Sequence, residues 1–385
     1  MLTRRSFLQT SGLAAAAVSG PPKGVAILAA AYAPHSPAQH MGDRILVGYP
    51  YAGAWHQPNL KLVSLYVQHP APGDLSSERA GEFNFPIYPK VAEALRAGSK
   101  DLGVDAVLIF DGTEQMFAEC LDAFEFANRA VPVFHHLSLS PSFEKARRMV
   151  ESARRLRFPL MAGSSLPVTW RLPAIELPAG CRIEEALVVG VGRSDGMDFH
   201  ALDALGCMVE RRAGGETGVS AVQWLEGDAV WKAGEDRRYS KELLVSALSR
   251  SDTPLGLSEK DGRTQNLVES GQLRVLAKNP AAYLIEYRDG LKAAVLMLDG
   301  AIKDFNFAAR LRGGEMHSTQ FLLTPEPNAT HSACLMHEVE EMIMSGTAPY
   351  PVERTLLAGG ILESASKSKT RLETPHLAVA YRNVR

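Results

Sequence analysis

His135 and His136 stand side by side at the end of an apolar run, Val131-Pro132-Val133-Phe134, that reads as a buried strand. Paired imidazoles there serve either as solvated residues or as groups that move protons and hydrogen-bond hydroxyls near neutral pH. Successive strand side chains point to opposite faces, so only one of the two rings can enter a given pocket. His200 and Asp203 lie in Phe199-His200-Ala201-Leu202-Asp203, a stretch with helical patterning, where a histidine can act as general base or simply pack at an interface. The loop Gly163-Ser164-Ser165-Leu166-Pro167-Val168-Thr169-Trp170-Arg171-Leu172-Pro173 gathers two hydroxyls, an indole and a guanidinium. Trp170 could stack on the apolar face of a pyranose, and Arg171 offers a rigid donor fork; the same composition also suits a proline-rich strap with Trp170 in the core. His331, Cys334 and His337 share one helical face and could ligate a metal, but a half-buried interface is the simpler reading and no metal is expected. Trp224 and Trp231 read as packing or subunit-contact residues.

Between residues 21 and 170 apolar runs alternate with helical stretches. Strands are predicted at Val25–Ala29, Leu60–Val67, Asp105–Phe110, Val131–Phe134 and Phe158–Gly163. Between them fall helices from Pro37 to Gly48, over Leu75–Glu82 and Val91–Ala97, and over Met116–Ala130 and Pro141–Leu156. Ser36-Pro37 is an N-cap followed by proline at the first helical position. This alternation implies right-handed crossovers and a doubly wound parallel sheet, a Rossmann-like α/β domain. Beyond residue 171 strands follow one another, with a hairpin signal at Arg288-Asp289-Gly290 and further strands at Ile183–Val191, Gly218–Leu225, Ala293–Leu298, Phe305–Arg310 and Gln320–Leu323. Helices are expected at Phe199–Glu210, Ser240–Ser249, Thr330–Ser345 and Val352–Ser368. This half is an α+β domain with a large, mostly antiparallel, open-faced sheet. The charged stretch Gly234–Gly271 reads as a surface excursion.

A hydrophobic fraction of 46% supports two cores, and a formal charge of -2 gives nucleic-acid binding no electrostatic support. Cys120, Cys181, Cys207 and Cys334 lie far apart in apolar contexts and are expected to be buried free thiols. Residues 1–20 have the layout of a twin-arginine export signal: Arg4-Arg5 before Phe7-Leu8, then a weak Ala-rich stretch. That stretch is too short for a permanent span of about 20 apolar residues. A periplasmic or otherwise exported protein follows, passed as a folded chain to the twin-arginine translocase.

Several segments resemble the glucose-fructose oxidoreductase, inositol dehydrogenase and rhizopine-catabolism (Gfo/Idh/MocA) family. They are Ser77–Tyr88 with Val91–Leu95, Val104–Ile109, Phe143–Ala146 with Pro159–Gly163, Phe199–Asp203, Gly346–Pro351 and Leu372–Pro375. The resemblance implies a nucleotide-binding-type domain over 21–170, a second domain over 171–385, and a homo-oligomer through the second sheet. It also implies an oxidoreductase acting on a sugar or cyclitol with a tightly held NAD(P), touched by Ala29, Ala31, His35, Gln68 and Asp111. His200, His136 and Asp203 become catalytic candidates, and Ser164, Ser165, Trp170, Arg171 and His135 substrate contacts. The sequence departs from the pattern at four places. Ala29–His35 has no glycine where the pyrophosphate turn needs Gly-x-Gly-x-x-Gly; Gln68-His69 replaces the ribose acid; His135-His136-Leu137-Ser138 lacks the lysine of Glu-Lys-Pro; Gly196 replaces an aspartate. Two other functions fit these departures: a cofactor-free carbohydrate-binding or scaffold protein, and non-redox elimination or hydration of a sugar.

Overall fold

The computed structural model describes residues 20–383 except 71, 193 and 254–265. The export-type segment, Arg193 and part of the charged excursion lie outside the described residues. The first sheet contains β1 (Lys23–Ala29), β4 (Leu60–Val67), β5 (Ala106–Phe110), β6 (Val133–His136) and β7 (Leu160–Gly163). All are parallel, in the order β4-β1-β5-β6-β7. The intervening β2 (Tyr49–Tyr51) and β3 (Ala54–His56) form a small separate hairpin that the sequence patterning does not reveal, since Pro50 interrupts a three-residue strand. Strands such as Ala106-Val107-Leu108-Ile109-Phe110 are wholly buried, as expected of a sheet covered on both faces by crossover helices.

The second sheet has eight strands. They are β8 (Arg171–Leu172), β9 (Ile183–Gly190), β10 (Val219–Glu226), β11 (Ala281–Tyr287), β12 (Lys292–Met297), β13 (Phe305–Leu311), β14 (Met316–Phe321) and β15 (Leu372–Glu373). Only β9 and β12 pair in parallel; every other pair is antiparallel. The turn after Tyr287 closes the expected hairpin, with Gly290 at φ +92°. The last long strand starts earlier than expected, at Met316 rather than Gln320. Its polar residues His317, Ser318 and Thr319 hide it from an apolar-run criterion, yet all three pair with β13, and the Gly313-Gly314 turn sets the register.

Sequence order and packing part company at the C-terminus. The helix Thr330–Ser345 lies on the first sheet with the helix Pro37–Val47, so Met336 and Val339 share a core with Ile27 and Met41. The helices Asp195–Val209 and Glu353–Lys367 fill the space between the sheets, giving one core continuous from Val107 to Val188. The outer face of the second sheet carries its own helices, Asp228–Glu235, Lys241–Leu248 and Gln272–Leu276, over Leu187, Val189, Leu284 and Leu296. The middle of the face expected to lie open is therefore covered by this chain itself. All four cysteines are free thiols, three of them buried. No described helix is long and apolar enough to cross a membrane.

Candidate functional site

Beyond the C-terminal ends of β5 and β6, Asp111 and His136 come close to His200 of the helix Asp195–Val209 and His331 of the helix Thr330–Ser345. Strand alternation sends His135 to the Val133 face and His136 to the Phe134 face. His135 is 2% exposed, both ring nitrogens are sealed without a hydrogen-bond partner, and burial pushes its pKa down to about 4. It is a core residue and takes no part in the cleft. His136 lies half-buried beside Phe110, with Nδ1 3.7 Å from Asp111 Oδ1. Asp111 ends β5 in the left-handed region at φ +49°, and the neighbouring His136 ring holds its carboxyl below the ordinary range. A small ring rotation would close that contact to a hydrogen bond.

His200 sits in the second turn of a helix capped by Ser194, whose hydroxyl accepts from Met197 N–H. Its ring meets the edge of Phe305. Burial, then the nearby His136 and His331 rings, push its pKa down to about 3, so the ring is neutral at physiological pH. Nδ1 is sealed with no acceptor facing it. A proton there would be an orphan donor, so the neutral ring keeps its hydrogen on Nε2. His331 completes the group; burial, with His40 and Arg44, lowers its pKa to about 4.

Asp203 belongs elsewhere. It is fully buried, accepts the Ser164 N–H at 2.8 Å, and lies 3.2 Å from Arg354 Nε. Burial raises the carboxyl's proton affinity, and the Arg354 charge with the Ser164 N–H opposes that rise. Gly163 makes the approach possible: it has φ +128°, and a Cβ there would lie 2.9 Å from Asp203 Oδ2. Asp203 therefore positions the 163–171 loop and does not reach reacting atoms. Ser164 is likewise buried, and Ser165 is half-buried in the short turn that follows. Arg171 is committed to Glu176 at 2.5 Å and to the Pro167 carbonyl, with its guanidinium 5.2 Å from the Phe321 ring centre. Trp170 is the loop residue that stays available, 46% exposed, with its backbone against Leu322 and the Cys334 thiol.

The Ala29–His35 turn shows how far the phosphate cradle has changed. Tyr32 is fully buried beneath the following helix, its hydroxyl 3.1 Å from Asp43, and a Cβ at Gly42 would collide with it. Ser36 Oγ accepts the Gln39 N–H while Gln39 Oε1 accepts the His35 N–H, a capping pair whose return bond falls one residue before the N-cap. Of the donors that helix end could point at a pyrophosphate, Pro37 has none and the Gln39 N–H is already capped by Ser36, and His35 (φ +64°) carries a side chain where glycine is needed. The Glu326 carboxylate stands 2.8 Å from His40 Nε2 in that helix's second turn and adds repulsion toward phosphate. Ala29 and Ala30 carbonyls are taken by Gln68 and His69 N–H groups, so the end of β4 presents Gln68 where the resemblance implies a ribose acid. These residues do not fit a dinucleotide pyrophosphate.

Sequence reasoning gave no sign of a concavity away from the imidazoles. A cavity of about 360 Å³ opens behind the helix Asp195–Val209, lined by Ser138, Asp195, Trp224, Tyr283 and Glu363. Trp224, read from sequence as packing, meets Tyr283 edge-on at 4.5 Å there. The residues come from five separated segments, so no local spacing could reveal them.

No family model and no curated protein matches the chain. Solved structures do. GenD2 of gentamicin A biosynthesis, in complex with NAD, aligns at TM-score 0.60 and 12% identity over 92% of this chain and 97% of its own. Myo-inositol dehydrogenase from Lactobacillus casei, in complex with NAD(H) and myo-inositol, aligns at 0.58 and 12%, covering 92% and 97%. Myo-inositol 2-dehydrogenase from Lactobacillus plantarum aligns at 0.57 and 10%, covering 91% and 99%. The class is therefore the two-domain fold of the inositol dehydrogenases, over nearly the whole described chain. The likeness is one of backbone shape, at 10–12% identity.

Proposed function

We propose that this protein performs acid–base chemistry on a keto sugar or keto cyclitol in the interdomain cleft, removing a proton from the carbon beside the carbonyl. The Asp111–His136 pair facing His200 carries the reading. His136 Nε2 takes the proton, and the Asp111 carboxylate at Nδ1 stabilises the imidazolium that forms. His200 is kept neutral by burial, which makes it a poor base but a good hydrogen-bond donor; its Nε2–H supports the oxygen on which enolate charge develops. Trp170 supplies an apolar face for the ring. Isomerisation, or elimination of a hydroxyl from the β-carbon, follows from the same enolate.

The test incubates the purified protein with 2-keto-myo-inositol in deuterium oxide and follows the proton next to the carbonyl by NMR. Exchange above the buffer rate, lost in His136→Gln, supports the reading; no exchange with retained ligand binding leaves a carbohydrate-binding protein and overturns it. A second reading, a nicotinamide-linked oxidoreductase of sugars or cyclitols, is favoured by the fold shared with NAD-bound GenD2. Mass spectrometry of the denatured protein separates the two, because a stoichiometric nucleotide would establish the redox reading. Export by the twin-arginine route belongs to the same proposal, and replacing Arg4-Arg5 by Lys-Lys should retain the chain in the cytoplasm. Assembly into a homo-oligomer would have to use the edge near Leu172 and Met316, which the outer helices leave exposed.

A further inference from the structure

We infer that the rebuilt cradle is a divalent transition-metal site made by His35, His40 and Glu326. Their ligand atoms lie within 4.8 Å of one another, and Glu326 Oε1 is shared, 2.8 Å from His40 Nε2 and 3.9 Å from His35 Nδ1. Two donors on one tetrahedral ion with bonds near 2.0–2.1 Å sit roughly 3.4 Å apart. Small side-chain rotations therefore bring all three atoms onto a common centre.

Three features separate this group from a chance surface cluster. His40 Nε2 is sealed, and although Glu326 is 2.8 Å away the contact is not aligned as a hydrogen bond, so the nitrogen has no partner on its own axis. An ion on that axis, with the carboxylate beside it, satisfies both groups. The other nitrogen, Nδ1, is anchored 3.2 Å from Ser332 Oγ, the outer hydrogen bond that fixes a ligating imidazole. Finally, Arg44 holds the loop that carries Glu326 against the helix, through the carbonyls of Asn328 at 2.5 Å and Ala329 at 3.1 Å. Arg44 and the helix N-terminus both disfavour a cation, which leaves Glu326 to supply the compensating charge.

A second trio, His56, His337 and Glu340, also meets the spacing requirement. Both oxygens of its carboxylate are already taken: Glu340 Oε2 is bonded to His56 Nε2 at 2.6 Å, and Oε1 accepts the Asn59 N–H at 2.7 Å, although His337 Nδ1 is left without a partner. It serves as the control. Nitrogen and carboxylate donors suit zinc, cobalt or iron, and one side of the proposed ion faces solvent past the exposed His35.

The test titrates Zn²⁺ alone into untagged, full-length protein by calorimetry, and reads the visible bands of the cobalt-loaded form. One equivalent should bind. Glu326→Gln and His40→Ala should each abolish it, and Ser332→Ala should weaken it about 10–100-fold, with circular dichroism unchanged. Absence of binding to the wild-type chain overturns the site. So does binding that survives in Glu326→Gln and disappears in Glu340→Gln. No substrate is used, so the result is independent of the proton-transfer reading.

Discussion

His200 and Asp203 lie one turn apart on one helix and meet opposite fates. Asp203 faces the helix Glu353–Lys367, where Arg354 bridges it to Glu210, and Glu210 also accepts from Tyr381 and Asn383. The Tyr350 ring lies 3.9 Å from that guanidinium. The acidic groups there are enclosed by compensating partners, so the region holds the halves of the molecule together. His200 lies among His136 and His331, which are also imidazoles, with Asp111 beside His136. His200 and His331, which burial keeps neutral, can still respond to a ligand. The difference teaches that pairing, more than residue type, divides scaffold from reactive centre in this fold.

Breaking the paired side should have the largest effect. Arg354→Leu leaves Asp203 and Glu210 buried without their cation and should cost about 3–5 kcal/mol of stability, measured by urea denaturation. On the unpaired side His136→Gln should lower the deuterium-exchange rate about 10²–10⁴-fold with the same urea midpoint. A shift of that midpoint instead would mean that His136 is scaffold, and the contrast would fail.

His135 sharpens the comparison by its pH dependence. Its folded pKa, about 4, lies below the ordinary value near 6.5, so the folded state binds fewer protons than the unfolded state. Its contribution is intact above pH 6.5 and falls as pH drops toward 4, by about 1.4 kcal/mol per pH unit. His135→Leu should remove about 2 kcal/mol of the acid destabilisation seen at pH 5 while leaving the protein at least as stable at pH 7. An unchanged pH profile would show that some other group titrates. The smallest effect belongs to Trp170→Ala, a loss of about tenfold in sugar affinity by titration calorimetry.

The alternation of apolar runs and capped helices made the parallel sheet legible, down to the Ser36-Pro37 helix start. The helical pattern of Thr330–Ser345 was legible too. Its packing onto the first sheet was not, because amphipathic spacing marks an apolar stripe without naming the surface that covers it. The candidate site divided in the same way. The opposed faces of His135 and His136 follow from strand geometry, and the missing glycines of the Ala29–His35 turn are plain in the sequence. The capping of the next helix by Ser36 is local and could be read from Ser36-Pro37-Ala38-Gln39. The arrival of Glu326 beside His40 could not, since nearly 300 residues separate them.

By itself the sequence determined the types of the long elements and the loss of the glycines of the phosphate turn, since each depends on neighbours within a few residues. Tertiary structure alone decided which polar groups are compensated: it gave Asp203 an arginine and left His200, three residues earlier, without a partner. Burial and electrostatic pairing depend on what the rest of the chain brings within a few ångströms, and no local pattern encodes that.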